Sequence, residues 1–130
     1  MARRFELAAL AGPATEHWRA RWFAAMRWQR RVETALVSAG LTFTEWQVLE
    51  AAHAVIVETG DAVSQNQVAA KAELDRRAVS RTMSALDRKQ LVSRCPCFVG
   101  TSYRVFLSEE AEFLLKEHRP AVEAASKASA

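Results

Sequence analysis

The sequence predicts one mainly α-helical domain with a single small β-hairpin, and three observations predict it. Apolar side chains recur at helical spacing through most of the 130 residues. Three short segments begin with side chains that cap helices well. Only the stretch from Leu91 to Leu107 changes to an extended pattern, which indicates two strands. Half of the residues are hydrophobic and a quarter are charged, as in ordinary globular domains.

The first element is a long helix, predicted from about Thr15 to Ser38. Its apolar side chains, rich in tryptophan, cover far more of the helical wheel than the roughly 100° that one packing partner needs. We therefore expect this helix to pack against its own domain and also against a second subunit.

Three shorter helices are predicted next, at about 45–59, 65–72 and 76–89. Thr44 with Gln47 and Ser64 with Gln67 have the spacing of a capping box, and Asp75 is a good N-cap for the third helix. Only three residues separate the second of these helices from the third, so the two must cross sharply. This spacing is that of a helix-turn-helix.

A hairpin and a last helix complete the predicted elements. Strands at 91–99 and 103–107 are joined by a turn at Gly100-Thr101-Ser102, and Pro96 marks the first strand as an edge or a bulge. The last helix begins at Ser108, which supplies a hydroxyl cap. Pro120 is expected to kink or divide that helix, and its tail from residue 124 is expected to fray.

The helix at 76–89 carries the side chains that indicate a partner. The net charge of the chain is only +3, yet residues 75–107 hold seven basic and two acidic side chains. Val79, Met83 and Leu86 lie on one side of this helix, and arginines and serines lie on the other. Such a face suits the DNA major groove, because guanidinium groups read guanine and pair with phosphates. The alternative is a solvated arginine-rich surface.

The preceding helix adds two candidates, because the free backbone N–H groups at its first turn and its dipole favour a phosphate. The full set of predicted DNA-contacting residues is Gln65, Asn66, Arg76, Arg77, Ala78, Ser80, Arg81, Ser84, Arg88 and Arg104.

From about residue 41 to 110 the chain resembles the MarR family of bacterial transcription regulators. The matching blocks, in order, are LTFTEWQVL from Leu41, SQNQVA from Ser64, LDRRAVSR from Leu74, LDRKQLV from Leu86 and VFLSEE from Val105. The resemblance implies a winged helix-turn-helix fold and an obligate homodimer, with recognition helices in successive major grooves of a palindromic operator and wings reaching the minor grooves. Within one domain, residues 1–40 and 108–130 are then dimerisation helices and 41–107 the DNA-binding lobe.

Two departures from the family pattern affect this prediction. Glu73 stands where many relatives carry glycine, so it must accept a left-handed conformation or a changed turn, at a cost of about 1 kcal/mol. The wing tip, Val99 to Ser102, lacks the family's acidic residue and arginines. Without those wing arginines, the recognition helix must supply most of the contacts that recognise the DNA sequence. The alternative is a winged-helix protein-interaction module that has lost or weakened its DNA binding.

The candidates for a ligand pocket between the dimerisation helices and the DNA-binding lobe are Trp18, Trp22, Phe43 and Trp46, together with Trp28. Regulators that resemble this chain often hold small aromatic or phenolic anions there, so a small aromatic effector is the possible ligand. The alternative is an aromatic dimer core, because aromatic side chains at helical spacing usually serve packing.

Cys95-Pro96-Cys97 places two thiols two residues apart on a strand, where both sulfurs share one face. A redox switch is one reading, and two inert small side chains are the other. A metal site is disfavoured, because the only histidines to complete a tetrahedral ligand set, His17, His53 and His118, are scattered.

The remaining expectations concern chemistry and location. The sequence has no Gly-rich phosphate loop, no zinc-protease motif and no nucleophile elbow, so we expect neither an enzyme nor a cofactor. No apolar run approaches the roughly 18 residues of a membrane span, and the first residues lack the apolar core of a signal peptide. We therefore expect a cytoplasmic protein with reduced cysteines.

Overall fold

The computed structural model describes residues 13–60, 63–99 and 102–128. Its helices are α1 Pro13–Leu36, α2 Phe43–Thr59, α3 Gln65–Ala72, α4 Arg76–Arg88 and α5 Glu109–Lys127. A 3₁₀ turn, Val37–Ala39, follows α1, and the strands are β1 Val63–Ser64, β2 Val92–Val99 and β3 Ser102–Leu107. The predicted mainly helical fold with a hairpin is confirmed. None of the helices in these ranges is long and apolar enough to cross a membrane.

Side-chain caps start the helices that the sequence predicts, with one exception. The side chains of Ser64, Asp75 and Ser108 each accept a hydrogen bond from a backbone N–H three residues further on, and all three caps are confirmed. The predicted box of Thr44 and Gln47 is wrong.

The capping box of α2 is formed instead by Thr42 and Glu45, so the helix begins two residues earlier. The Glu45 carboxylate accepts a bond of 2.8 Å from the Thr42 N–H and a second bond of 2.7 Å from Lys89 Nζ. A carboxylate at this position is favoured by the helix dipole and by the lysine, and Gln47 offers neither advantage. Gln47 instead donates to the Ala72 carbonyl, 2.9 Å away.

The sheet has three antiparallel strands in the order β1-β3-β2. The two-residue β1 pairs with β3 through Val63↔Val105 and Ser64↔Arg104, and the sequence did not reveal it because so short a strand has no periodicity. The pairing of β2 with β3 shifts register between Cys95 and Phe98, which confirms the irregularity expected at Pro96.

The recognition-type helix α4 is fixed by its apolar side. Val79, Met83 and Leu86 are fully buried in a core that also contains Leu49 of α2 and Leu115 of α5. Burying each such side chain stabilises the fold by about 1.5–3 kcal/mol, so the core fixes which face of α4 turns outward.

The turn between α3 and α4 depends on Glu73 in the left-handed conformation, with φ 56° and ψ 41°. The prediction made from the missing glycine is confirmed. Backbone bonds from the N–H groups of Glu73 and Leu74 to the Ala70 and Ala69 carbonyls close the end of α3. The turn is therefore short and well bonded, at the conformational cost of a side chain at positive φ.

Helix α5 continues through Pro120 to Lys127, so it is not divided there, and residues 124–127 of the tail that was expected to fray are helical. Two side chains of α1 hold the last turn. Trp28 Nε1 donates to the Ser126 carbonyl at 3.1 Å, and Arg31 Nε donates to the Ala125 carbonyl at 3.3 Å. These contacts satisfy carbonyl groups that a helix end leaves without intrahelical partners.

Candidate nucleic-acid interface and adjoining cavity

The outer face of α4 presents a row of arginines. Arg77, Arg81 and Arg88 are exposed, and their spacing of four and seven residues aligns them along one side of the helix. None of the three forms an ion pair with another residue of the described ranges. Arg76, in the first turn, is also exposed. The helix therefore offers several guanidinium groups whose donors remain available to a partner.

The serines of α4 are placed differently from the arginines. Ser80 and Ser84 are half-buried, as is Ala78. Ser84 Oγ donates to the Ser80 carbonyl at 3.2 Å and accepts a bond of 3.0 Å from Arg94 Nη2. The Ser84 hydroxyl predicted to contact DNA is thus already engaged within the protein.

Arg94 is a basic residue beside α4 that the sequence analysis did not include among the candidates. It lies on β2, with its guanidinium carbon 5.8 Å from the centre of the Tyr103 ring, and it reaches across to Ser84 on α4. The side chain therefore ties the wing sheet to the recognition-type helix. The basic block at 75–107 contained this arginine, but strand register relative to α4 is not readable from sequence.

The first turn of α3 does not have the free N–H groups that suggested a phosphate site. The Asn66 N–H donates to Ser102 Oγ at 3.0 Å, and the Gln67 N–H donates to Ser64 Oγ at 3.0 Å. Gln65 is buried rather than exposed. Ser102 of the wing therefore occupies one donor at this helix end, and contact of Gln65 and Asn66 with a phosphate stays a prediction.

Arg104 also differs from a wing arginine that extends into a groove. Its side chain is half-buried, and its guanidinium carbon lies 5.1 Å from the centre of the Phe106 ring. The residue pairs with Ser64 on one side and Cys95 on the other within the sheet. Arg104 therefore lies within the body of the sheet rather than at the tip of the wing.

An ion pair between Lys89 and the buried Glu45 connects the C-terminal end of α4 to the start of α2. Lys89 Nζ donates to Glu45 Oε1 at 2.7 Å and to the Gly40 carbonyl at 2.9 Å. Burial raises the pKa of Glu45, but the bonds from Lys89 and the Thr42 N–H outweigh burial and hold that pKa below its ordinary value. The carboxylate is ionised at neutral pH and anchors the helix.

A cavity of about 670 Å³ lies among α1, α2, the α3–α4 turn and the C-terminal half of α5. Three of the predicted pocket residues, Trp28, Phe43 and Trp46, line it. The Trp28 and Phe43 rings meet edge to face at 5.6 Å. Trp18 and Trp22 do not line the cavity.

Those two tryptophans lie on the outside of α1 instead. They stack with ring centres 5.9 Å apart and are 62% and 54% exposed. The prediction that Trp18 and Trp22 belong to the pocket is corrected, because the wide apolar arc of α1 turns them away from the protomer. Phe23 and Met26 are exposed on the same helix.

The cavity also contains charged groups. Arg119 donates through Nε to Glu50 Oε2 at 3.3 Å and makes a second, shorter bond through Nη2 to Oε1. This carboxylate raises the pKa of Arg119 above its ordinary value. Glu73 and Glu123 are further lining residues.

The cysteine pair differs from the expectation of two reduced thiols. Cys95 is disulfide-bonded in the structure, and it lies at the register shift of β2. The side chain of Cys97 lies outside the described ones. Because Cys95 forms a disulfide, it is not the inert thiol that was one of the two expectations for this residue.

Comparison with known proteins gives structural relatives. No protein-family model matches the chain, and no curated protein sequence matches it. A MarR-family transcriptional regulator from a Rhodococcus species is similar at a TM-score of 0.72 and 23% identity, over 88% of this chain and 80% of that one. BpsR of Bordetella bronchiseptica, whose DNA binding is regulated by 6-hydroxynicotinic acid, gives 0.68 and 20%, over 86% and 76%.

A further similar structure is CouR of Rhodococcus jostii, solved with p-coumaroyl-CoA bound. It matches with a TM-score of 0.65 and 27% identity, over 78% of this chain and 69% of that one. The order of helices, the short helix-turn-helix turn and the antiparallel wing agree with these proteins. The chain has the winged helix-turn-helix fold of the MarR-family transcription regulators.

Proposed function

We propose that the chain is a homodimeric transcription regulator that binds double-stranded DNA sequence-specifically through the outer face of α4. The observation that carries the proposal is the row of Arg77, Arg81 and Arg88, exposed and without ion pairs in the described ranges, on a helix whose opposite side is fully buried. A helix held in this way can enter a major groove without disturbing the core. The named regulators among its structural relatives support this proposal.

The exposed aromatic side of α1 supports the dimer. Trp18, Trp22 and Phe23 are each more than half exposed on one helix, and large exposed apolar patches mark association surfaces. A second copy is the occupant that a two-fold-symmetric operator requires, since such an operator presents two major-groove sites about 34 Å apart, one turn of DNA. Sedimentation velocity tests this. The wild type should be a dimer, and a Trp18→Ser/Trp22→Ser variant should shift toward the monomer.

Selection of bound sequences from a random DNA pool, followed by a salt titration, tests the proposal directly. Because the candidate contacts are arginines, log K should fall linearly with log salt, by about 0.9 for each phosphate neutralised. The selected pool should converge on a two-fold-symmetric site. A flat salt dependence, or a pool without a shared sequence, would contradict DNA reading by this helix.

We further propose that the regulator responds to a small aromatic effector in the cavity lined by Trp28, Phe43 and Trp46. The cavity lies between the dimerisation helices and the DNA-binding lobe, and Glu73 of the helix-turn-helix turn lines it. BpsR is regulated by 6-hydroxynicotinic acid, which shows that an aromatic ligand can control a protein of this fold. Ligand-dependent loss or gain of DNA affinity measures the response.

Redox response through Cys95 is a separate part of the proposal. The disulfide-bonded Cys95 is adjacent to Arg94, which contacts α4 through Ser84. Two-electron reduction by a dithiol returns both sulfurs as thiols and removes the cross-link from β2. DNA affinity should then differ between the oxidised and reduced protein, and a Cys95→Ser variant should be insensitive to the reductant. Equal affinity in both states would contradict a switch.

The competing function is a winged-helix module for protein interaction. It is favoured by one observation, that Arg104 is packed against Phe106 instead of extending from the wing. Selection from the random DNA pool discriminates the two functions, because a module without a DNA role gives only weak binding with no sequence preference.

A further inference from the structure

We propose that the cavity bounded by Trp28, Phe43 and Trp46 is selective for an organic cation, such as an aromatic or amphipathic ammonium or phosphonium compound, and rejects aromatic carboxylates. The inference rests on the proposed function, since it names the ligand class of the effector site. It also differs from the anionic ligands named for BpsR and CouR. The aromatic and charged side chains that line the cavity support this inference.

The aromatic walls favour positive charge. Trp28 and Phe43 meet edge to face with ring centres 5.6 Å apart, and Trp46 adds a third aromatic side chain to the same lining. The faces of such rings are electrically negative, so they attract cations and do not stabilise carboxylates. With a volume of about 670 Å³, the cavity is of the size that holds drug-sized ligands.

The basic side chains of the lining are already neutralised. Arg119 is held by both oxygens of Glu50, and Lys71 is ion-paired with Glu58. A carboxylate ligand would therefore meet two basic groups whose charge is already partly offset by protein carboxylates. Because the Arg119 pair is bidentate, displacing it forfeits two charge-assisted hydrogen bonds.

The acidic side chains of the lining are not all neutralised. Glu73 and Glu123 line the cavity, and neither forms an ion pair within 4 Å with another residue of the described chain, although Glu123 is near enough to Arg119 to help raise its pKa. With Glu50, the lining has three carboxylates against two basic side chains, so its formal charge is negative. An anion entering the cavity therefore meets like charge, whereas a cation supplies the missing partner.

Glu73 also connects the cavity to DNA reading. It lies in the left-handed turn that joins α3 to α4, and the adjacent Ala72 carbonyl accepts a bond from Gln47, another lining residue. A cation paired with Glu73 would bind at the joint of the helix-turn-helix. Such a ligand changes DNA affinity if it binds more tightly to one orientation of α4 than to another and only one of them fits the DNA.

Isothermal titration calorimetry with tetraphenylphosphonium and tetraphenylborate, on the DNA-free protein, tests the charge selectivity. The two probes have nearly the same shape and opposite charge. The wild type should bind the cation at least tenfold more tightly than the anion. A Glu73→Gln/Glu123→Gln variant should lose about tenfold of that ratio, since two charges are removed at contact range. A Glu117→Gln variant, altered at an exposed residue outside the lining, should keep the wild-type ratio.

Three results would overturn the inference: tighter binding of tetraphenylborate, an unchanged ratio in the double variant, or no measurable binding of either probe. DNA affinity of the same preparations separates this failure from that of the proposed function. Cation binding without DNA binding overturns the regulator and leaves the site, whereas DNA binding without charge preference overturns the site and leaves the regulator.

Discussion

The ion pair between Lys89 and Glu45 sets how α4 is anchored, and Lys89→Met tests it. The Glu45 side chain is 6% exposed and that of Lys89 is 41% exposed, so removing the lysine leaves a buried carboxylate with the Thr42 N–H as its remaining partner in the described chain. A hydrogen bond to a charged group contributes about 1.5–3 kcal/mol. We expect the free energy of unfolding to fall by about 2 kcal/mol at pH 7.

The cost should depend on pH in a definite direction. Burial raises the pKa of Glu45, and the Lys89 and Thr42 bonds lower it further than burial raises it, to a value below 4.5. Stability from this ionised carboxylate is therefore complete above the pKa of the unfolded chain and is lost as pH falls through the folded pKa. Lys89→Met removes interactions that act on the ionised carboxylate, so the difference between wild type and Lys89→Met should shrink as the pH falls through the folded pKa of Glu45.

Urea unfolding followed by far-UV circular dichroism, at one fixed protein concentration, measures both effects. Lys71→Met is the matched control, because its partner Glu58 is 56% exposed and an exposed pair contributes under about 1 kcal/mol. The reasoning is refuted if Lys89→Met costs no more than Lys71→Met, or if its cost is the same at pH 7 and pH 4.

Three further predictions concern stability and use the same unfolding measurement. Glu73→Gly should stabilise the protein by about 1 kcal/mol, because glycine accepts the positive φ at no steric cost; a loss of stability would contradict the left-handed turn. Ser102→Ala should cost about 1 kcal/mol, since it removes the acceptor of the Asn66 N–H at the start of α3, and no loss would contradict that cap. Met83→Ala should cost about 2–5 kcal/mol from the fully buried core, and a cost under 1 kcal/mol would show that α4 is not anchored there.

Local signals in the sequence were sufficient for most of the fold. The caps at Ser64, Asp75 and Ser108 follow from a short-range hydrogen bond, and the buried side of α4 follows from helical periodicity. For Glu73 the missing glycine left two alternatives, a left-handed conformation or a changed turn, and the structure has the first. Each of these features is decided within a few residues of chain.

The features that the sequence did not reveal depend on contacts between distant residues. Thr42 displaced Thr44 as the cap because Glu45 is bound by Lys89, 44 residues away. Helix α5 continues beyond Pro120, and side chains of α1 donate hydrogen bonds to the carbonyl groups of its last turn. The free donors expected at Asn66 are partly occupied by Ser102 of the wing.

The features of the candidate site also separate into those set by local sequence and those set by contacts between distant residues. The arginine row of α4 and the place of Trp28 in the cavity were predicted from sequence, whereas the contact of Arg94 with Ser84 required the tertiary arrangement. Trp18 and Trp22 fit a pocket on the helical wheel as well as they fit an outer surface. Only the packing of α1 on α5 decides which side faces outward.

The central claim is that α4 reads DNA through its arginines, and the affinity of Arg81→Ala for the selected operator tests it most directly. A bidentate arginine contact is worth about 1–3 kcal/mol, so binding should weaken by about tenfold or more at fixed salt. Lys116→Ala, which removes one positive charge from the exposed surface of α5, should change affinity less than about twofold. Both variants should remain folded with the oligomeric state of the wild type. Equal affinity of Arg81→Ala and wild type would contradict the account.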